Sequence, residues 1–183
     1  MKVSLINRIL YPMRLRRLRR FCLAHWDSSL GPNYGPEHWE RVRAFAHLLT
    51  PLDTVDFMVT DAFAYLHDIE RVNDQADPLH GPRAAALVRR IRHTYLHYLS
   101  DTQIALLAKA CELHSVALRT GEYIIDVCFD ADREDLLRRS IVPDPRMMAT
   151  HLGADFVASD DYLKFWAKLR DAMAGGRAVL PEL

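Results

Sequence analysis

Val55-Asp56-Phe57-Met58-Val59-Thr60-Asp61-Ala62-Phe63-Ala64-Tyr65-Leu66-His67-Asp68 is an apolar stretch that ends on two ionisable side chains. Val55, Met58, Val59, Ala62, Phe63 and Leu66 recur at three- and four-residue steps, the period of a helix with one apolar stripe. β-branched residues are present, but no alternation with period two runs long enough for a strand. A helix over 54–70 follows.

Working outward, the same periodicity predicts helices at 37–49, 82–99, 102–116, 122–139, 145–157 and 160–174. Gly31-Pro32-Asn33-Tyr34-Gly35-Pro36 separates a basic N-terminal segment from the first of these. Asn73 to Pro82 is rich in turn formers and stops at a helix start. The expected fold is all-α, a single bundle of about seven or eight helices. Residues 1–35 form a basic helical segment packed on the domain, 36–175 the domain itself, and 176–183 a short tail that frays after Gly175-Gly176.

The chain has 183 residues, enough for one well-covered core. Lysine plus arginine and aspartate plus glutamate both number 24, so no global field argues for nucleic acid or an acidic membrane. Cys22, Cys111 and Cys128 are widely spaced and form no CxxC pair, which suits reduced thiols and a cytoplasmic location. No apolar run approaches the roughly 18 residues of a membrane span. Arg14, Arg16, Arg17, Arg19 and Arg20 follow the apolar start, the reverse of a signal peptide. That segment reads as an exposed helix face, with a basic helix on a membrane surface as the alternative. Oligomeric state stays open.

Several ionisable residues fall on apolar stripes. His38 lies in line with Val42, Phe45 and Leu49; His114 extends Ile104, Leu107, Ala108 and Cys111; Asp132 lines up with Ile125, Cys128 and Leu136. His67 and Asp68 end the apolar helix. Burying an ionised carboxylate without a partner is very costly, so Asp132 needs a cation or a hydrogen-bond network. Imidazoles and carboxylates from separate helices can converge on one divalent ion. Any single one of them is as well explained as a satisfied core histidine. His93 and His97 have the spacing of a helical metal pair, but Val88, Ile91, Tyr95 and Leu99 claim the opposite face, so both are expected to be exposed. His25, His47 and His151 have no partner pattern.

The order His38, His67-Asp68, His114, Asp132 resembles the HD superfamily of metal-dependent phosphohydrolases. Glu37-His38-Trp39-Glu40-Arg41-Val42 is similar to that family's first-histidine helix, and Ala64-Tyr65-Leu66-His67-Asp68-Ile69 to its eponymous motif. His80-Gly81 before Ala84-Ala85-Ala86 is similar to the segment with an additional histidine. Asp130-Ala131-Asp132-Arg133-Glu134-Asp135-Leu136 is similar to the last metal-ligand helix. The resemblance covers about residues 36–140 and implies that His38, His67, Asp68 and Asp132 hold a first metal. Of the two acids in the late motif, Asp132 matches better, and Asp130 is expected to turn toward solvent. His80 and His114 match histidines that hold a second metal, with Asp68 bridging, or contact substrate phosphate in single-metal members.

Many members follow the pair with glycine and lysine, where this chain has Ile69-Glu70-Arg71. Arg71 can replace the lysine as a forked phosphate ligand or stand as a surface charge, and Glu70 implies a differently shaped entrance. The resemblance thus implies hydrolysis of a phosphomonoester or phosphoanhydride, such as a nucleotide, by metal-activated water. The cofactor is one or two divalent ions among Mn, Fe, Co, Mg, Ni and Zn. Asp68 and Arg71 are the catalytic candidates, and Arg41, Arg71 and Arg138 the candidates for holding phosphate of a small-molecule substrate. Two alternatives use the same residues: a di-iron oxygenase, and a non-catalytic domain that binds a nucleotide or a partner. Thr150, His151 and Asp155 are expected at the rim.

Overall fold

A computed structural model describes residues 5–50 and 57–176. Over these residues the chain is all-helical: α1 (Leu5–His25), α2 (Pro36–Leu49), α3 (Phe57–Leu66), α4 (His80–Tyr95), α5 (Asp101–Leu113), α6 (Tyr123–Glu134), α7 (His151–Ala158) and α8 (Asp160–Ala174). Short 3-10 turns join some of them, and no strand occurs among the described residues. The expected helix start at 54–56 and most of the expected tail, 177–183, lie outside those residues.

The axis is α3. Every one of its 10 residues is buried, and a helix apolar on all sides has to be surrounded. Around it stand α1, α2, α5 and α6, while α4 covers α5 and α7 lies on α6. From α8, Phe165 and Tyr162 close on Phe45 of α2, with ring centroids 5.5 and 6.2 Å away. α1 buries Tyr11, Leu15, Leu18 and Cys22. Its Tyr11 meets Phe57 edge-on at 5.1 Å, and its Phe21 meets Tyr95 of α4 at 4.5 Å. The opposite side of α1 leaves Ile9, Met13, Arg16, Arg17 and Arg20 exposed. No helix of the described residues is long and apolar enough to cross a membrane.

One charge sits inside the core away from the helix ends. Asp61, midway along α3, is fully buried. It accepts hydrogen bonds from the Tyr11 hydroxyl (2.7 Å), Arg43 Nε (2.8 Å) and His47 Nε2 (2.6 Å). Burial alone would raise its pKa, but His47 and Arg43 hold it below the ordinary value. His47, which has no partner pattern in the sequence, is thus part of the packing of α2 against α1 and α3.

Helix ends differ from expectation where capping outweighs periodicity. The helix predicted over 54–70 stops at Leu66, and 67–70 is a turn. The one predicted over 122–139 is α-helical to Glu134 and then tightens into a 3-10 turn, Asp135–Arg139. The one predicted over 145–157 is split, because Asp144 caps a 3-10 turn and Thr150 caps α7 by accepting from Gly153 N. α5 starts on a capping box of Ser100 and Gln103.

The close approach of α4 to α5 depends on Gly81. A Cβ there would lie 2.7 Å from the Cys111 carbonyl oxygen and 2.8 Å from that of Glu112. Both are backbone atoms and cannot turn aside. Gly81→Ala is therefore expected to force the helices apart and cost about 1–3 kcal/mol, lowering Tm by several degrees in a thermal melt.

Candidate metal centre

Five helix ends bring six side chains together. His38 is in the first turn of α2, and His67 and Asp68 lie just past the end of α3. His80 opens α4, His114 is the C-terminal cap of α5, and Asp132 lies in the last turn of α6. All four imidazoles and Asp68 are buried. The Asp132 side chain is 19% exposed, against 4% for Asp68, so the cluster opens toward solvent on the α6 side. The ends of α3 and α5 turn their carbonyl dipoles toward it, which favours positive charge there.

The tautomers follow from the outer ring nitrogens. His67 Nδ1 faces Phe63 O at 3.1 Å, His114 Nδ1 faces Cys111 O at 2.8 Å, and His80 Nδ1 faces Asp77 O. Carbonyl oxygens only accept, so each of these Nδ1 atoms carries its proton. His38 Nδ1 donates to the buried carboxylate of Asp135 at 2.8 Å. Every Nε2 lone pair is therefore left for the inside of the cluster.

Inside, the atoms fall into two halves with Asp68 between them. In one, His38 Nε2 and His67 Nε2 are 3.0 Å apart. Asp68 Oδ2 lies 3.7 and 3.4 Å from them, and Asp132 Oδ1 3.5 and 3.7 Å. In the other, His80 Nε2 and His114 Nε2 are 2.9 Å apart, with Asp68 Oδ1 at 3.2 and 3.5 Å. Donors bound at about 2.0–2.1 Å to one ion lie about 3.0–3.4 Å apart; the two Nε2 pairs and the closer Asp68 contacts match that spacing, and the remaining contacts are wider, up to 3.7 Å. Groups of His38, His67 and Asp68, of His67, His114 and Asp132, and of Asp68, His80 and His114 can each present converging ligand atoms. Neutral imidazole plus carboxylate, with no thiolate, suits borderline to hard divalent ions.

Asp68 Oδ1 and Asp132 Oδ1 accept no hydrogen bond among the described residues. Burial raises the Asp68 pKa, but His67 and His114 beside it hold the carboxyl well below the usual range. Asp132 is held down likewise by His67 and Arg138 against its own burial. Burial and Arg138 pull His38 down to about 4, despite Asp135. Burial works on His67 too, yet Asp68 and Asp132 push its pKa up to about 10. Those two carboxylates thereby favour a second proton on His67 when no cation is present.

The arginines divide. Arg71 Nε is 3.2 Å from Asp68 Oδ1 and Arg138 Nη2 is 3.6 Å from Asp132 Oδ1. Arg71 Nε and Nη1 and Arg138 Nη1 are buried and donate to nothing among the described residues. Arg41 is spoken for. Its Nε donates to Asp135 at 2.6 Å and its guanidinium lies beside Trp166, so the expectation that it holds phosphate gives way to a supporting role.

Asp130 does not face solvent as expected. It is fully buried and accepts from Ala149 N (2.5 Å), Thr150 N (2.8 Å) and Thr150 Oγ1 (2.7 Å), which ties α6 to the start of α7. Thr150 is accordingly a structural cap. Glu70 does not shape the entrance alone, since its carboxylate meets His25 Nε2 at 3.1 Å. His93 and His97 are exposed, as their helix face implied. Asp135, unremarked in the sequence, is the residue reasoning missed. It joins His38, Arg41 and the Trp166 indole, 3.2 Å away. Its position one turn after Asp132 was the available sign.

Two outcomes follow. Removing the carboxylate that orients a metal-ligating histidine typically costs about 10–100-fold in affinity, and Asp135→Asn is expected to weaken metal binding by that factor in a chelator competition. Ligation needs neutral His67, so metal uptake at pH 7 should release protons and tighten as pH rises toward 10. Calorimetry in buffers of different ionisation enthalpy reads that release directly, and buffer-independent heats would contradict the His67 assignment. Compared with protein-family models, with curated proteins and with solved structures, the chain matched none.

Proposed function

We propose that this chain is a metal-dependent phosphohydrolase of the HD type with a two-metal site. The observation that carries the reading is the pair of facing Nε2 contacts, 3.0 and 2.9 Å, on either side of a buried Asp68. Two lone pairs at that distance need a proton or a cation between them, and Asp68 offers one oxygen to each half. His38, His67, Asp68 and Asp132 would hold one ion, and His80, His114 and Asp68 the other. The ordered resemblance to the HD superfamily supports the same assignment.

Divalent ions in such a site lower the pKa of bound water toward 7 and neutralise charge developing on a phosphoryl group. The chain's own contribution is position and charge. Arg71 and Arg138 aim unpaired donors at the open side, and a guanidinium fork suits phosphate oxygens. Asp68 orients the donors of both halves, and Asp135 keeps His38 in the tautomer that leaves Nε2 free. In the net reaction water adds to phosphorus, the P–O bond to the leaving group breaks, and that group departs with a proton. The substrate class is a phosphomonoester or phosphoanhydride of a small molecule.

The arginines favour this reading over an oxygenase, which has no need of two buried cationic forks beside its ligands. Protein purified without chelator is expected to carry two metal ions per chain and, with Mn, Fe or Co, to hydrolyse members of a phosphoester and nucleotide panel. Arg71→Ala and Arg138→Ala should each lower kcat/KM by about a hundredfold with metal content unchanged. Oxygen consumption without phosphate release, or a fold that collapses on chelation with no turnover under any metal, would reject it.

A further inference from the structure

Arg71 and Arg138, whose guanidinium groups keep buried donors without a hydrogen bond among the described residues, both meet one short turn. Gly31 enters it at φ +80°, a conformation that favours glycine, and Pro32 and Pro36 stiffen it on both sides. Gly35 allows Trp26 to pack directly on the backbone, since a Cβ would lie 2.5 Å from the indole ring. The turn presents Tyr34, which is 1% exposed although it sits between helices.

Every polar contact of Tyr34 leads to the candidate site or its rim. Its ring lies under Arg71, with the guanidinium carbon 4.1 Å from the ring centroid. Its hydroxyl accepts from Arg139 Nη1 at 2.7 Å and donates to Asp74 O at 3.0 Å, which reaches the loop between α3 and α4. Its own carbonyl takes the Trp39 indole N–H at 3.0 Å, one residue after His38. Next to it, Asn33 O accepts Arg138 Nε at 2.9 Å. One rigid turn therefore holds three arginines from two separate parts of the chain.

We infer that Tyr34 is the positioning residue of the phosphate clamp, holding the Arg71 fork against its ring so that Nε stays beside Asp68 and Nη1 is left unbonded. The inference rests on the phosphohydrolase reading. The geometry has a functional logic. A guanidinium beside Asp68, 3.2 Å away, would fold onto that carboxylate and close a bidentate pair. Stacking on Tyr34 supplies a competing attraction from the other side. The donors are thereby kept unpaired until an anion arrives, and Arg138 is fixed by Asn33 O.

The test uses the full chain loaded with Mn, titrated with inorganic phosphate in a calorimeter, and the metal-free chain for NMR. Tyr34→Phe keeps the ring and is expected to bind phosphate within about threefold of wild type. Tyr34→Leu removes the ring, and should bind about tenfold more weakly with metal content unchanged. Pentafluorophenylalanine at position 34 keeps the shape of phenylalanine and reverses the charge pattern of the ring face. It should weaken phosphate at least threefold relative to Tyr34→Phe, and it serves if the leucine variant does not fold. In metal-free protein the Arg71 Nε–H resonance should be ring-current shifted in wild type and Tyr34→Phe, and lose that shift in Tyr34→Leu. Equal phosphate affinity in wild type, Tyr34→Leu and the fluorinated variant overturns this inference alone. Absence of phosphate binding by loaded wild type at millimolar concentration overturns the phosphohydrolase reading and this inference with it.

Discussion

Four imidazole lone pairs that converge in a space largely closed to water repel one another, and the rest of the molecule is arranged around keeping them there. Their outer nitrogens are tied to Asp135, Phe63 O, Asp77 O and Cys111 O, so no ring can turn its Nε2 away without losing a buried hydrogen bond. The cluster is thus high in energy unless positive charge occupies it. A proton on His67, which Asp68 and Asp132 favour, would supply part of that charge; a divalent ion would supply more. Binding energy and site geometry are linked through this, because the helices that hold the imidazoles are the same ones that build the core.

That link explains the choice of helix. α3 is buried along its whole length and so cannot shift without disturbing α1, α2, α5 and α6. Placing His67 and Asp68 at its end gives the two side chains the stiffness of the packed core while leaving them on a turn that opens outward. Asp61, halfway along, is secured by Tyr11, Arg43 and His47, and so locks the register of α3 against α1 and α2. Removing one partner from such a buried set typically costs about 3–5 kcal/mol. An ion pair remote from the cluster therefore sets where His67 and Asp68 stand.

The helical fold and the convergence of His38, His67, Asp68, His80, His114 and Asp132 were legible in the sequence for one reason: both are facts about helix faces. Period 3.6 put His38, His114 and Asp132 on apolar stripes, and burial with convergence followed. Depth was harder. In Asp130-Ala131-Asp132-Arg133-Glu134-Asp135 the period says which side a carboxylate leaves from, not what lies opposite. Asp130 meets the backbone of Ala149 and Thr150, Asp132 the cluster, and Asp135 His38 and Arg41. Glu134 is buried with neither oxygen hydrogen-bonded among the described residues, and burial together with Asp130 pushes its pKa well up. Partners contributed from 19 to 97 positions away leave no local trace. Helix ends were missed at Leu66 and Glu134 because turn and cap geometry, rather than apolar period, decides them.

The division among the arginines extends the same reasoning. Arg41, Arg71 and Arg138 are indistinguishable as residue types, and each is one turn from a site residue. What separates them is whether a carboxylate already satisfies the fork. Arg41 has Asp135, which is buried and fixed, so its charge is spent holding α2 to the turn after α6. Arg71 and Arg138 face carboxylates that a metal would claim, while Tyr34 and Asn33 hold their other sides. Loading the centre would therefore withdraw Asp68 and Asp132 as partners for the two guanidinium groups. Metal binding and anion binding then favour each other, since each removes a competitor for the groups the other needs.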